Sequence, residues 1–319
     1  MPLVSHLQHP LRSYEIFMTP NSTSAMAIFG FVYLWYLMAV LLLEIWFDYR
    51  RDFVIWSKTS KGFKKIFYKV ITLGINDIDE KSAKLDDRLG YFITVIGIPS
   101  AFLLHGYVGF IFGSIKANPW WSTVLMPIIF LFSAMVSGVA LVMLIYMVVS
   151  WIRKVDIDMK CLDTIARYLL FILIIDFTLE SLDQIHRIYE AEESFDIISV
   201  LVSGKLNITL LVMQVALGTI IPLIVLGLFQ FYKPSEKVRK FFYFLIGGMV
   251  LVGIFFMRWN VVIGGQLFSK SLSGFTSFKT VYSGMEGSVM AAVWLILPLF
   301  ILAFLLWLMP PWKKISYNE

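Results

Sequence analysis

Seven stretches of the sequence stay apolar for about the length of a bilayer crossing: Ser24–Phe47, Leu89–Gly113, Ser122–Trp151, Thr164–Arg187, Asn207–Tyr232, Lys240–Trp259 and Ser288–Met309. A helix needs about 20 residues to cross the hydrocarbon core. Inside lipid each backbone N–H and C=O must be paired within the segment. The runs are therefore predicted as helices, and the fold class as an all-α polytopic membrane protein, a bundle of about seven transmembrane helices. Shorter alternating segments, the mark of a membrane β-barrel, are not the pattern here. Composition agrees: 59% of the 319 residues are hydrophobic and mean hydropathy is +0.78.

The net charge of +5 is a matter of topology, not a nucleic-acid footprint. Asp48–Arg88 holds ten Lys and Arg. Arg153, Lys154, Lys160, Arg167, Lys233, Lys237, Arg239, Lys240, Lys313 and Lys314 follow on the same side of the alternating runs. Only Arg12, Lys116, Arg187, Lys205, Arg258, Lys270 and Lys279 lie opposite. The positive-inside rule makes the first set cytoplasmic. Expected is a multi-pass protein of the cell (cytoplasmic) membrane, N-terminus outside and C-terminus inside. Its parts are an extracytoplasmic segment 1–23, a transmembrane domain 24–309 with a cytoplasmic loop 48–88, and a cytoplasmic tail 310–319. Its surroundings are the lipid bilayer and no nucleic acid.

The single cysteine, Cys161, cannot form an internal disulfide, an iron–sulfur cluster or a structural zinc site. Met1–Asn21 is polar and shows no cleavable signal; "HPLR" and "TPNSTS" read as a connection between membrane helices, so a hydrophobic segment is expected in front of them. Within the cytoplasmic loop, Gly62–Leu73 mixes Lys64, Lys65 and Lys69 with Phe63, Ile66, Phe67 and Val70. That pattern suits a helix on anionic lipid, or a solvated loop.

Polar groups inside the spans are expensive, and they usually face a cavity or a partner. In "RYLLFILIIDFTLESLDQIHR", Asp176, Glu180, Asp183 and Arg187 fall on one helical face. The stripe is either a proton path, with His186 at its outer end, or an interhelical seam. Glu44, near the inner end of the first span, offers an inner half-path with a gap between.

Rise per residue sets the depth of the other groups. His105 lies about 24 Å up the second span and Arg258 about 27 Å up the sixth, at ~1.5 Å per residue. His105, Asp183, His186, Arg258 and Asn260 thus meet in the outer third of the membrane, capped by Trp120 and Trp121. A quinone needs donors for its carbonyl oxygens, proton carriers and an apolar slot, which this layer supplies. A b-type haem on His105 and His186 is the other use, from the single intramembrane histidine pair. Arg258 at that depth is expected to pair with Asp183, Glu180 or Glu286, and "GGQ" (Gly264–Gln266) to let the backbone turn or approach closely.

"GIPSAFLLHGYVGFIFGSIKANPWWSTVLMPIIFLFSAMVSG" (Gly97–Gly138) resembles the centre of the NrfD/polysulfide reductase membrane subunits. There a histidine-bearing helix, a K-A-N/R-P-x-W turn, a proline-led helix and an S-A-x-x-S-G packing motif follow in order. "RWNVVIGGQ" with "KANPWW" is similar to the DsrP-type subunit of the sulfite-reduction-associated complex (DsrMKJOP). "HPLRSYEIFMTPNSTSAM" resembles the family's loop between its second and third helices, so the first two helices are expected to be lacking here.

The resemblance implies a subunit with no haem or iron–sulfur cluster of its own. Menaquinone would be its bound substrate. Electrons would pass between menaquinol/menaquinone and a docked extracytoplasmic, ferredoxin-like iron–sulfur subunit, in sulfur/sulfate metabolism. Further implied partners are a multihaem cytochrome c subunit, a b-haem membrane subunit and a cytoplasmic iron–sulfur subunit. The expected quinone-binding residues are His105, Tyr107, Trp120, Arg258 and Asn260. Proton transfer falls to Asp176, Glu180, Asp183 and His186. Docking of the iron–sulfur subunit falls to Lys116, Asn118, Trp121 and Gln266, on the outer loops Ser114–Ser122 and Val261–Ser288. A secondary transporter and a passive membrane anchor for redox subunits are the alternatives; Pro99, Pro127, Pro222 and Pro298 offer kinks, without an evident inverted repeat.

Overall fold

The computed structural model describes residues 10–12, 14–19, 21–189, 195–269, 271, 274–279, 281–284 and 287–312. Lys270, Glu286, Lys313 and Lys314, named above, lie outside them, as does the side chain of Arg187. Among the described residues the regular structure is helical, with one isolated antiparallel bridge between Phe268 and Phe275. A one-turn helix, Glu15–Met18, precedes α1 (Ala25–Thr59), α2 (Phe63–Ile71), α3 (Glu80–Gly113), α4 (Met126–Arg153), α5 (Met159–Tyr189), α6 (Phe195–Ser203), α7 (Asn207–Phe231), α8 (Glu236–Gln266) and α9 (Ser288–Leu308).

Six helices, α1, α3, α4, α7, α8 and α9, are long and apolar enough to cross a membrane. The remaining expected span is α5. Its 31 residues suffice in length, but Asp176, Glu180 and Asp183 interrupt its apolar run. The apolar surface of these helices faces outward. In α9 no residue of the apolar window is buried within the protein, and Leu295, Leu299 and Phe300 are more than half exposed. A continuous apolar surface of this kind is untenable in water and ordinary in lipid.

Several helices overrun the apolar runs that announced them. α1 continues past Phe47 to Thr59, and α3 begins at Glu80 rather than Leu89, so the expected loop 48–88 is largely helical. Hydropathy marks where lipid ends; backbone hydrogen bonding continues into the aqueous side. The same holds for α8, which runs through "GGQ" to Gln266. The glycines there serve close approach, not a turn.

By contacts the chain divides into two units, 1–104 with 279–319, and 105–278. In the first, Ser24 caps α1 by accepting from the Ala27 N–H at 3.3 Å. Arg50, 1% exposed, is held by Asp86, by the Asp77 carbonyl at 2.8 Å and by Ser82. α2 packs Tyr68 against Phe53 and Trp56 of α1 and Leu308 of α9.

In the second unit, α4, α5, α7 and α8 share a core of Val136, Met143, Leu169, Leu173, Leu226 and Val250. α7 is wound as a π helix over Asn207–Ile220. That winding ends next to Pro222, whose ring would press on the carbonyl four residues back in a regular helix. α7 crosses α8 where Gly218 meets Gly253: a Cβ on Gly218 would stand 2.3 Å from the Gly253 Cα. Pro127 sits in the first turn of α4, where its missing N–H has no helical partner to lose.

Candidate functional site

The site is built by two motifs from distant parts of the sequence. In "KANPWW", Asn118 shapes the turn between α3 and α4: its Oδ1 accepts from the Trp120 N–H at 3.0 Å, and its backbone carbonyl accepts from the Trp121 and Ser122 N–H groups. The same side chain donates through Nδ2 to the Gly265 carbonyl at 2.8 Å. The two indoles reach the same helix. Trp120 Nε1 donates to the Asn260 carbonyl at 2.9 Å, and Trp121 Nε1 to the Val261 carbonyl at 2.6 Å. Glycine is required opposite them. A Cβ on Gly265 would lie 2.1 Å from the Trp121 indole nitrogen, and one on Gly264 3.0 Å from that of Trp120. The turn is thereby clamped onto the end of α8.

Beneath this clamp lies a cavity of about 410 Å³, within the ~300–1,000 Å³ usual for small-molecule sites. Most of its wall is apolar, including Phe177, Leu210, Met257 and Val261. Its polar wall is a hydrogen-bonded chain across three helices. Asn260 Nδ2 of α8 donates to Gln214 Oε1 of α7 at 2.8 Å, and Gln214 Nε2 donates to Glu180 Oε2 of α5 at 3.2 Å. Asn260 is 1% exposed, and its Oδ1 has no hydrogen-bond partner among the described residues. Asp183, also on the wall, accepts from Thr123 Oγ1. The π winding of α7 carries Gln214, so the irregular turn presents the central link.

Of the expected site residues, Trp120, Asn260, Glu180 and Asp183 are brought together here. Asp176, one turn below Glu180, is 3% exposed, its Oδ1 has no partner among the described residues, and it does not line the cavity. Asp176, Glu180 and Asp183 share the inward face of α5, and only its outer part meets the chamber. His186 is exposed, beyond the wall. His105 and Tyr107 on α3 do not line it either; His105 is exposed, and the Tyr107 ring lies 5.4 Å from that of Phe110, tilted against it.

Arg258, expected on the pocket wall, does not line the cavity, although its charge acts on Asp176 and Glu180. It makes no ion pair among the described residues. Its Nη2 donates to the Phe130 carbonyl at 3.0 Å and to Ser133 Oγ at 2.7 Å, with the guanidinium 3.9 Å from the centre of the Phe130 ring. Helical phase is the reason: Met257, Asn260 and Val261 turn toward the cavity, and Arg258 turns toward α4. There it meets the first serine of "SAMVSG".

Asn118 and Trp121, expected on a docking surface, are spent on the internal clamp, whereas Lys116 and Gln266 are exposed. Gln214 and Thr123 escaped the sequence reading. For Gln214 the signal was a lone glutamine in an apolar run; for Thr123 there was none.

A polytopic helical membrane protein with a polar-walled chamber between an acidic helix, a π-wound helix and a motif-clamped helix is the class that fold and site define. The chain belongs to the polysulphide reductase, NrfD family, whose profile matches residues 1–270. It is 29% identical over 271 residues to a selenate reductase subunit of Mesobacillus selenatarsenatis, a match that covers 81% of this chain and 59% of that protein. The chain thus spans less than two thirds of that relative's length.

Proposed function

We propose that the chain is the quinone-interacting membrane subunit of a reductase complex and that the quinone headgroup enters the α5–α7–α8 cavity. The observation that carries this reading is the Glu180–Gln214–Asn260 chain on one wall of an otherwise apolar chamber. A quinol presents hydroxyl donors and, once oxidised, carbonyl acceptors. Asn260 Oδ1 is an acceptor with no partner among the described residues, Glu180 and Asp183 are proton acceptors within the same wall, and the apolar surface suits ring and tail. Family membership and a relative named as a subunit of selenate reductase support a place in a multisubunit reductase.

In the finer form of the proposal the substrate is menaquinone. The protein is DsrP-like and serves sulfur/sulfate metabolism, with its N-terminus outside. Electrons pass to an extracytoplasmic iron–sulfur subunit seated on the outer loops, where Lys116 and Gln266 stand exposed. The rest of the complex is a multihaem cytochrome c, a b-haem membrane subunit and a cytoplasmic iron–sulfur subunit. The α5 acids take up the quinol protons, with Asp176 leading toward mid-membrane.

The test is photolabelling of the complex in native membranes with an azidoquinone, followed by peptide mapping. Label in α5, α7 or α8 next to Glu180, Gln214 or Asn260, displaced by menaquinol analogues, is expected. Label confined to other helices, with none at these positions, sinks the assignment.

A further inference from the structure

The amphipathic helix α2 plays no part in the cavity. Its inner face is fully engaged. Tyr68 Oη donates to the Leu308 carbonyl at 2.7 Å, and Lys64 Nζ donates to the Trp307 carbonyl at 2.9 Å while lying 3.8 Å from the centre of the Trp307 ring. Its outer face is apolar and exposed: Phe63, Ile66 and Val70 are 63%, 66% and 65% exposed, and Leu73, just past the helix end, is 73% exposed. Phe63, Ile66 and Val70 recur every three or four residues, so they lie on one stripe of α2. Lys58, Lys61, Lys65 and Lys69 are exposed around it, and no acid occurs between Phe53 and Asn76.

The position of this face follows from α9. That helix has 21 residues, all uncharged, about 31 Å at ~1.5 Å per residue. This just covers a hydrocarbon core of about 30 Å. Trp307 and Leu308, at its end, therefore sit at the membrane boundary, and α2 is hydrogen-bonded to that last turn. An apolar face at this level, with a basic rim and no cover among the described residues, is matched by one surface, the headgroup region of an acidic bilayer.

We propose that α2 is an interfacial helix: Phe63, Ile66, Val70 and Leu73 dip into the headgroup–acyl boundary, and the four lysines bind anionic phospholipid phosphates. The helix thereby fixes the level of the α1 and α9 ends against the bilayer.

The test uses the full chain carrying Cys161→Ala, to remove the exposed native thiol, with one cysteine introduced as Ile66→Cys, Val70→Cys or Lys65→Cys and spin-labelled. Nanodiscs contain phosphatidylglycerol with phosphatidylcholine, or phosphatidylcholine alone. Labels at 66 and 70 should be more accessible to oxygen than to an aqueous nickel chelate, and the label at 65 the reverse. The contrast at 66 and 70 should fall by about half or more without the acidic lipid. Labels at 66 and 70 as open to the chelate as the label at 65, in both lipids, overturn the proposal. A contrast indifferent to lipid charge removes the headgroup recognition. Shielding that arises only when other subunits of the complex are added assigns the face to a protein instead.

Discussion

The indole nitrogen of Trp120 donates to the backbone carbonyl of Asn260 at 2.9 Å. One bond thus ties the turn after α3 to the residue that closes the polar wall of the cavity. Trp120→Phe keeps the ring and removes the donor. It is expected to lower thermal stability in detergent by about 1 kcal/mol, and to loosen Asn260 enough to weaken quinol-linked turnover.

The clamp also predicts opposite signs for two glycine substitutions in α8. Gly265→Ala places a methyl 2.1 Å from the Trp121 indole, and overpacking of this kind costs about 1–3 kcal/mol. Gly248→Ala meets nothing within 4 Å, and should stabilise by about 0.5–1 kcal/mol through helix entropy. Unfolding midpoints of the two purified variants, side by side, check the pair.

Under the proposed function, Glu180→Gln should leave an assembled complex whose quinol-dependent reduction falls about a hundred-fold or more, the scale of a lost proton-transfer group, and Asn260→Leu should lower it by removing a hydrogen-bonding group from the wall. Gln214→Leu should follow them, since it removes the link between the two. Unchanged turnover and pH dependence in Glu180→Gln would make the α5 stripe a packing seam only.

Arg258→Leu should behave differently. Its donors hold Phe130 and Ser133 of α4 and not the cavity. A loss of about 1–3 kcal/mol in stability is expected, from a charged hydrogen bond and a cation–π contact. Quinol oxidation per assembled complex should stay near that of the parent. Loss of electron exchange at full assembly would return Arg258 to the substrate pocket.

In the first unit, Asp86→Ala strands the buried Arg50 charge. Removing one partner of a buried pair costs about 3–5 kcal/mol, so the protein should fall sharply in yield and melting temperature. The double variant Arg50→Met, Asp86→Leu should recover much of the loss, because it removes both charges together.

The membrane class, the helical fold, the order of the spans and the acidic face of α5 are all legible in the amino-acid sequence. Each follows from a one-dimensional rule: apolar run length, internal backbone pairing, or helical repeat. The family resemblance also marked "KANPWW" and "RWNVVIGGQ" as motifs. What a linear reading does not contain is which helix faces which. Depth alone placed Arg258, Asn260 and His105 in one layer. The rotation of α8 sends Asn260 to Gln214 and Arg258 to Ser133, and His105 faces outward.

Rotation is set by packing: the Gly218–Gly253 crossing, the indoles against Gly264 and Gly265, and the π winding of α7. Those contacts join residues tens to more than a hundred positions apart, and a shift of one residue along a helix turns a side chain by about 100°. Apolar run length fixes how deep a residue lies to within a turn. Only the tertiary contacts decide its azimuth, and the cavity wall is made of azimuths.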